Sequence, residues 1–266
     1  MNEILSAVVL VGGISLAVGA VLAAAAFLFD VPVDERAQII REKLPGANCG
    51  ACGFSGCDGY AAALASGKAK VGLCTVGGSE TAQELSSLLG ESGGEFERFA
   101  AVVHCSGTEN VTMKAADYQG ITTCKAAMQV YGGMGKCVFG CIGYGDCAAA
   151  CDYGAITVAN GTAKVDINKC KACGACVYAC PHSLIRIEPV KPHAAVLCES
   201  CDKGNVTTKV CRSGCIGCKR CTNACESGAI TVKNNHAEVN VSKCTACGKC
   251  VEVCPRKIIH IIDEDI

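Results

Sequence analysis

Tryptophan is absent from this chain of 266 residues, and aromatic residues make up only 5% of it. A core built on large aromatic side chains is therefore excluded. Motifs of nucleotide and hydrolase chemistry are also missing. No G-x-G-x-x-G follows a predicted strand, and neither a P-loop nor a G-x-S-x-G is present. The formal net charge of −1 argues against a nucleic-acid binder, which would carry a clear excess of positive charge.

Charged side chains are missing from the whole of residues 4–29. An α-helix needs about 20 apolar residues to span a bilayer, so this run predicts a transmembrane helix. A cleaved signal peptide is the alternative. Such peptides begin with positive charge and have an apolar stretch of about 7–15 residues, whereas only Glu3 precedes this longer run. Arg36 and Arg41 follow the run, and positively charged flanks stay in the cytoplasm. We therefore predict a retained anchor over residues 1–30 with the following domains in the cytoplasm.

Histidine is scarce as well, and its spacing is not typical of metal ligands. The five histidines are His104, His182, His193, His236 and His260. We interpret them as surface or core residues.

Cysteine, in contrast, is abundant, with 25 residues, and its runs form two blocks that repeat with a constant offset, so that Cys141 corresponds to Cys215. The second block reads C-x2-C-x2-C-x3-C over residues 215–225, and again, followed by proline, over residues 244–254. This is the bacterial ferredoxin run, in which three cysteines hold one [4Fe–4S] cluster and the fourth ligates the neighbouring cluster. The chain is therefore predicted to carry electrons.

Two other uses of cysteine fit these runs less well. Disulfide frameworks belong to small secreted domains, and this chain is much longer. Structural zinc sites use paired C-x2-C motifs with a gap between the pairs and four ligands per site. Iron–sulfur clusters also need reduced thiolates, which agrees with a cytoplasmic location.

A further motif, C-x2-C-x4-C-x16-C, lies between the anchor and the repeats. Its members are Cys49, Cys52, Cys57 and Cys74. The glycines between them allow backbone amides to approach cluster sulfurs, so the motif predicts another [4Fe–4S] cluster. The surrounding patterns predict short helices over residues 33–44, 58–67 and 79–89.

The two blocks repeat their strands as well as their cysteines. The sequence GAITV occurs at residues 154–158 and 228–232, and each copy is followed by a polar turn and an alternating segment. This pattern predicts a β-hairpin in each block. The blocks, at about residues 137–188 and 211–262, each predict one two-cluster ferredoxin module, and a duplication explains the constant offset.

The ferredoxin rule that the fourth cysteine crosses to the other cluster predicts three ligand sets. The sets are Cys215, Cys218, Cys221 and Cys254; Cys225, Cys244, Cys247 and Cys250; and Cys151, Cys170, Cys173 and Cys176.

A fourth set departs from this pattern. It contains Cys141, Cys147 and Cys180, but Tyr144 stands at the position equivalent to Cys218. We predict that Cys137 replaces the missing ligand. If it does not, the site would hold a three-iron cluster or none. Together with the N-terminal motif, the sets predict five [4Fe–4S] clusters.

Five cysteines remain without an assignment. They are Cys105, Cys124, Cys198, Cys201 and Cys211. Cys198, Cys201 and Cys211 could join one earlier cysteine in a sixth cluster. The alternative is that all five are buried structural thiols.

These patterns together predict an α+β protein in five parts. The parts are a transmembrane anchor at 1–30, a small and mainly helical [4Fe–4S] domain at 31–90, a linker or irregular segment at 91–136, and ferredoxin-like modules at 137–190 and 191–266. Charge divides unevenly among them, since residues 1–150 carry a net charge of −5 and residues 151–266 carry +4. The positive half could steer an acidic partner, or its charges could simply solvate a small domain.

The order of an anchor, the sequence NCGACGFSGCDGY at residues 48–60 and the ferredoxin runs resembles the RnfB subunits of Rnf complexes. The resemblance covers nearly the whole chain, in the extended form with two ferredoxin doublets. The N-terminal motif alone is less specific, because a similar domain occurs in a corrinoid iron–sulfur protein subunit.

The resemblance implies an electron-relay subunit, without catalytic residues of its own, of an ion-translocating ferredoxin:NAD⁺ oxidoreductase. Such a subunit lies at the inner (cytoplasmic) membrane, accepts electrons from soluble ferredoxin and relays them to membrane and peripheral partner subunits. The complex exports Na⁺ or H⁺, and its NAD and flavin sites lie on other subunits. The alternative is a membrane-tethered polyferredoxin serving another oxidoreductase, such as a hydrogenase.

Overall fold

The computed structural model describes residues 2–28, 34–90, 96–130 and 132–263. Its first helix, α1, covers Asn2–Leu28, and residues 1, 29 and 30 of the predicted anchor lie outside the described residues. Within the described part of the chain, the stretch Leu5–Leu28 is not buried against other residues. At 1.5 Å per residue its 24 residues extend about 36 Å, more than the roughly 30 Å of a bilayer's hydrocarbon core. The helix is therefore long and apolar enough to cross a membrane.

Three short helices form the unit that follows the anchor. They are α2 (Glu35–Lys43), α3 (Cys57–Ala65) and α4 (Gly78–Leu89). Asp34 begins α2 by accepting the backbone N–H of Arg36 at 2.9 Å, as an N-cap aspartate does. Ile40, Tyr60 and Leu85, one from each helix, pack together in the core of this unit. The three helices predicted from the sequence are confirmed.

The segment predicted as a linker, 91–136, contains regular structure in its described part. It contributes strand β1 (Phe99–Val103) and helix α5 (Cys124–Gln129). Residues 91–95 and 131 lie outside the described residues. Thr123 caps α5 by accepting the N–H of Ala126 at 3.2 Å.

The two cysteine-rich modules share the order of a helix, a hairpin, a second helix and a final strand. The first contains α6 (Asp146–Ala149), β2 (Ile156–Ala159), β3 (Thr162–Val165), α7 (Ala175–Ala179) and β4 (Ile185–Pro189). The second contains β5 (His193–Val196), α8 (Gly204–Val210), α9 (Arg220–Ala224), β6 (Ile230–Lys233), β7 (His236–Val239), a 3₁₀ turn (Val241–Lys243), α10 (Lys249–Val253) and β8 (Ile259–Ile262).

Each module contains the predicted hairpin. Strands β2 and β3 pair antiparallel with Ile156 opposite Val165, and β6 and β7 pair with Ile230 opposite Val239. The turn residues Asn160–Gly161 have φ values of 52° and 76°. Positive φ at both central residues is the two-residue turn that matches strand twist, which explains the asparagine and glycine there.

A second strand pair in each module extends the repeat beyond the cysteine runs. Strand β1 pairs antiparallel with β4, and β5 pairs in the same way with β8. The repeat therefore begins with β1, inside the segment predicted as a linker. Ala100 and Val102 of β1 pack with Ala195 of β5 and Ile262 of β8, so the two modules share one apolar core. The predicted α+β class is confirmed.

Candidate iron–sulfur sites

None of the 25 cysteines, all of which lie within the described residues, forms a disulfide. Most of the thiols gather in fours around cavities of about 300 to 400 Å³. Within the described ranges no three His, Cys, Asp or Glu side chains are arranged to hold a single metal ion. The thiols surround open space rather than one point.

Three of the predicted ligand sets each line one cavity. They are Cys49, Cys52, Cys57 and Cys74; Cys151, Cys170, Cys173 and Cys176; and Cys215, Cys218, Cys221 and Cys254. In the remaining set of the second module, Cys244 and Cys247 are electrostatic neighbours of Cys250. Cys225 packs in the same core as Cys244 and Cys250.

The structure groups the incomplete set of the first module differently from the prediction. Cys141, Cys147 and Cys180 line a cavity of about 400 Å³ together with Cys124, not with Cys137. Cys137 stands only four residues before Cys141 in the sequence, but it lies outside this cavity. The fold instead brings Cys124 to the cavity from the separate helix α5.

Helix α5 is held beside this cavity by Asp146. The carboxylate of Asp146 accepts the backbone N–H of Cys124 at 2.8 Å and that of Lys125 at 3.0 Å. Both N–H groups belong to the first turn of α5, where helices leave donors unsatisfied. Asp146 is adjacent in sequence to Cys147. It therefore holds Cys124 next to the run at residues 141–147, in which Tyr144 stands in place of a cysteine.

Tyr144 takes the place of a cysteine without changing the loop that carries it. Gly143 and Gly145 have φ values of 85° and 84°, and their equivalents Gly217 and Lys219 have 63° and 61°. The hydroxyl of Tyr144 donates to the sulfur of Met134 at 3.1 Å, and its ring lies 5.9 Å from the ring of Tyr118. The side chain is therefore engaged away from the cavity, which Tyr144 does not line.

Cys137 lies in another cavity, of about 350 Å³, between the two modules. Its other thiols are Cys105, Cys198 and Cys211. Cys201 does not line this cavity and is exposed. One signal in the sequence could have separated Cys137 from the first module's set. Cys137 and Cys211 stand at the same place in the two repeats, and the ferredoxin pattern leaves Cys211 without a role.

Backbone N–H groups point at several of the sulfurs. Cys170 accepts from Ala101 at 3.3 Å and from Ala172 at 3.4 Å, and Cys244 accepts from Ala194 at 3.4 Å. Ala101 belongs to β1 and Ala194 to β5, so the outer strand of each module serves the same position of its cluster run. Hydrogen bonds to the sulfurs are among the factors that set a cluster's reduction potential.

Short alternations of backbone conformation surround the cysteine runs. Ala172 and Gly174 have φ values of 51° and 82°, and Ala246 and Gly248 have 55° and 75°. Alternating right- and left-handed residues turn successive N–H groups inward and form an anion-binding concavity, as at many iron–sulfur sites. Alanine at two of these positions accepts a conformation that it rarely adopts.

Burial opposes ionisation of the thiols. It raises the pKa of Cys147 to about 12 and those of Cys176 and Cys221 to about 11, and neighbouring thiols add to the effect. These three thiols therefore stay protonated at neutral pH when no metal is bound. A bound metal displaces the proton, because a coordinating thiol is deprotonated outright.

Four thiols around a cavity, apolar walls and N–H donors to sulfur fit a [4Fe–4S] cluster. The fold and the sites define a ferredoxin-type protein that carries several iron–sulfur clusters. Three family models match parts of the chain. Residues 44–76 match a putative Fe–S cluster domain, residues 163–186 a 4Fe–4S binding domain and residues 214–259 a 4Fe–4S dicluster domain.

Relatives match almost the whole chain. The B subunit of the Na⁺-translocating ferredoxin:NAD⁺ oxidoreductase complex of Acetobacterium woodii is 40% identical over 97% of this chain and 78% of its own length. The B subunit of an ion-translocating oxidoreductase complex from Methanosarcina acetivorans is 38% identical over 98% and 99%. The B subunit of the proton-translocating ferredoxin:NAD⁺ oxidoreductase complex of Clostridium ljungdahlii is 35% identical over 98% and 94%. The chain belongs to this family of B subunits, and the predicted resemblance to RnfB is confirmed.

Proposed function

We propose that this chain is the electron-relay subunit of an ion-translocating ferredoxin:NAD⁺ oxidoreductase. It accepts electrons from reduced ferredoxin on the cytoplasmic side and passes them to partner subunits in the membrane. A bound [4Fe–4S] cluster supplies the one-electron chemistry, and the chain holds each cluster by four thiolates. The single observation that carries the proposal is that thiols of neighbouring sites share one core within each module and that the first module contacts the N-terminal unit.

Five sites follow the predicted sets, with Cys124 in place of Cys137. The proposed ligands are Cys49, Cys52, Cys57 and Cys74; Cys151, Cys170, Cys173 and Cys176; Cys124, Cys141, Cys147 and Cys180; Cys215, Cys218, Cys221 and Cys254; and Cys225, Cys244, Cys247 and Cys250.

The N-terminal site adjoins the first module. The hydroxyl of Thr75, next to Cys74, donates to the carbonyl of Ala172 at 3.4 Å. Tyr153 lies within electrostatic range of both Cys49 and Cys173, which belong to the two neighbouring sites. The first module is therefore in direct contact with the N-terminal unit, through which electrons could pass toward the anchor.

Positive charge surrounds exposed ligands at the opposite end. Cys218 and Cys247 are exposed, whereas most ligand cysteines are buried or half-buried. Lys219 and Arg220 follow Cys218 directly and are exposed, whereas Lys249, two residues after Cys247, pairs with Glu226. An acidic electron donor would be drawn to this surface, because opposite charge raises encounter rates. We therefore place ferredoxin docking on the second module.

The experiment that tests this docking surface reverses its charge. In the full-length chain, Lys219→Glu/Arg220→Glu should slow reduction by ferredoxin roughly tenfold at low salt, with the difference shrinking as salt screens the charges. The control, Lys114→Glu/Lys164→Glu, changes the net charge equally at exposed positions outside the second module. Equal slowing in both variants, or a rate that does not depend on salt, would contradict the docking surface.

The N-terminal site is proposed to pass electrons to the membrane partners. Cys49 is exposed, and only helix α2 and its flanking residues separate it from the end of α1 at Leu28, so it lies near the anchor along the chain. In the assembled complex, Cys49→Ala should leave reduction of the other sites by ferredoxin intact and abolish NAD⁺ reduction. Unchanged NAD⁺ reduction would remove this site from the path. If a hydrogenase copurifies instead of Rnf-type subunits, the chain serves another oxidoreductase.

A further inference from the structure

Four thiols outside the five proposed sites lie in one cavity at the junction of the modules. They are Cys105, Cys137, Cys198 and Cys211. Two come from the first repeat and two from the second, so neither module contains a complete set. The cavity, at about 350 Å³, is similar in size to those of the three predicted sets, which measure about 300 to 360 Å³.

The two halves of this site occupy equivalent positions. Cys137 precedes Cys141 by four residues, and Cys211 precedes Cys215 by four residues, so both pairs follow the constant offset between the repeats. Cys141 and Cys215 are themselves proposed ligands of the neighbouring sites. Each half is therefore joined by one short loop to the nearest site of its own module.

The loops that carry these thiols are fixed in the same way in both modules. The guanidinium of Arg256 donates to the carbonyl of Gly214 at 3.1 Å. The ring of His182, which occupies the position of Arg256 in the first repeat, donates to the carbonyl of Gly140 at 2.6 Å. Gly140 and Gly214 are also equivalent positions of the two repeats. The same side-chain-to-carbonyl contact therefore occurs at equivalent positions of both repeats, and it fixes the loops that carry Cys137 and Cys211 in the same geometry.

The other two thiols follow the outer strands. Cys105 lies two residues after β1, and Cys198 lies two residues after β5. The sulfur of Cys105 accepts the N–H of Cys141 at 3.4 Å, and the sulfur of Cys198 accepts that of Cys215 at 3.2 Å. Each sulfur also accepts an N–H from the residue two positions further along the chain. These are the same N–H to sulfur bonds that occur at the motif-predicted sites.

The segment before α5 ties the two halves together. Met113 donates its N–H to the carbonyl of Val210 at 2.9 Å, and Arg212 donates to the carbonyl of Val111 at 2.8 Å. On its other side the same segment receives the N–H of Lys136 at the carbonyl of Met113, at 2.8 Å. The chain segments leading to Cys137 and to Cys211 therefore flank one shared extended segment.

Burial of this site resembles that of the others. It raises the pKa of Cys105 to about 12 and that of Cys198 to about 11, against the backbone hydrogen bonds that lower both. These buried thiols accept hydrogen bonds and are brought together from two repeats. This arrangement is suited to ligands of a metal site rather than to residues that only fill space.

We propose that Cys105, Cys137, Cys198 and Cys211 bind a sixth [4Fe–4S] cluster that connects the two modules electrically. The role in electron flow rests on the proposed function, whereas the binding of the cluster does not. Each transfer across the junction oxidises the donor site in the second module by one electron and reduces the junction site by one. The next transfer returns the junction site to its oxidised state and reduces the site of the first module. Reduced ferredoxin supplies the electrons.

Metal analysis of the anaerobically purified full-length chain tests the binding. Six clusters require about 24 iron atoms and 24 sulfides per chain, and five require about 20. Cys198→Ser/Cys211→Ser should lower the count to about 20. Cys201→Ser, three residues from Cys198 but outside the cavity, should leave it at about 24. A wild-type count of about 20, or one zinc beside about 20 iron atoms, would overturn the proposal.

The variant must also retain the other clusters. If Cys198→Ser/Cys211→Ser falls far below 20 iron atoms, Cys105→Ser/Cys137→Ser removes the other repeat's half and should give about 20. If both variants lose most of their iron, the wild-type count of iron and zinc decides.

Stopped-flow reduction by ferredoxin tests the connection. In Cys198→Ser/Cys211→Ser, the two clusters of the second module should be reduced at the wild-type rate. The other three should be reduced at least tenfold more slowly than in the wild type. Equal rates for all five would refute the electrical role. If ferredoxin fails to reduce even the wild type, the proposed function fails, and the iron count still decides whether the sixth cluster exists.

Discussion

Replacement of Cys124 by serine gives a sharp test of the ligand exchange in the first module. Cys124 lines the cavity of Cys141, Cys147 and Cys180, and Cys137 does not. A serine hydroxyl is a poor iron ligand, so Cys124→Ser leaves three thiolates for four irons. We expect the protein to lose between one and four of its about 24 iron atoms. A loss of one iron would leave a three-iron cluster at this site.

The double variants make the prediction quantitative. If Cys124 and Cys137 served one cluster, Cys124→Ser/Cys137→Ser would lose no more than about four iron atoms. Because the two thiols lie in separate cavities, the double variant should lose up to about eight. Additivity of the two losses thus reports whether the sites are separate, as it does for residues without shared partners.

A rescue variant restores the ligand where the other runs carry it. Tyr144→Cys in the Cys124→Ser background places a thiol between Gly143 and Gly145, which already have the required positive φ values. The change removes the bond to Met134 and an aromatic pair, at a cost of about 1 kcal/mol.

Iron and sulfide analysis, together with electron paramagnetic resonance of the oxidised protein, measures these outcomes. Cys124→Ser should show the three-iron signal or a loss of iron, and Cys124→Ser/Tyr144→Cys should recover both the count and the spectrum. A Cys124→Ser protein with a full iron count and an unchanged spectrum would refute the reasoning.

Two further predictions concern stability. At Gly217 (φ 63°) an added Cβ would lie 2.7 Å from the carbonyl oxygen of Asn235, whereas at Gly228 (φ 61°) it would meet nothing within 4 Å. In guanidinium chloride, Gly217→Ala should therefore lose its clusters roughly tenfold faster than Gly228→Ala. Equal rates would show that the backbone at Asn235 moves aside without cost. Glu188→Gln should speed cluster loss more at about pH 6 than at about pH 9. Burial raises the pKa of Glu188, but hydrogen bonds from His104 and His193 outweigh it and lower that pKa to about 2. Burial lowers the pKa of His193, but the hydrogen bond to Glu188 outweighs it and raises that pKa. The contribution of Glu188 is present above about pH 4.3 and is lost as pH falls through its folded pKa, whereas that of His193 is present below about pH 6.5 and is lost as pH rises through its folded pKa. A ratio of the two rates that does not depend on pH would contradict the prediction.

The sequence predicted those sites whose ligands follow a local rule. In the second module, residues 215–225 and 244–254 carry all eight ligands predicted for its two clusters, and the short spacings fix the loop around each cluster. The hairpins were predictable for the same reason, because Asn160–Gly161 specifies its turn without help from distant residues.

Sites assembled across long distances in the chain were not predictable by such a rule. Cys105 and Cys137 are separated by a much longer stretch of chain than their counterparts Cys198 and Cys211. The extra residues between Cys105 and Cys137 include α5 and Cys124. The insertion that breaks the constant offset between the repeats therefore also supplies the proposed fourth ligand of the Cys141 site. The capping contact with Asp146, a tertiary feature, holds that thiol beside the cavity.

A network of charged side chains, buried or half-buried except for the exposed Arg186, spans the junction between the modules. Glu188 of the first module accepts from His104 at 2.9 Å and from His193 of the second module at 3.0 Å. Arg186 of β4 pairs with Glu199, next to Cys198, at 2.8 Å.

Buried ion pairs of this kind add little net stability compared with well-packed apolar residues, since desolvation offsets their attraction. Their geometry is specific, however, whereas the shared apolar core around Ala100 and Ala195 would tolerate small slips between the modules. Cys105 and Cys198 sit one residue from His104 and Glu199, so such a slip would separate the halves of the junction site. We infer that the network keeps the two repeats in the one register in which four thiols face the same cavity.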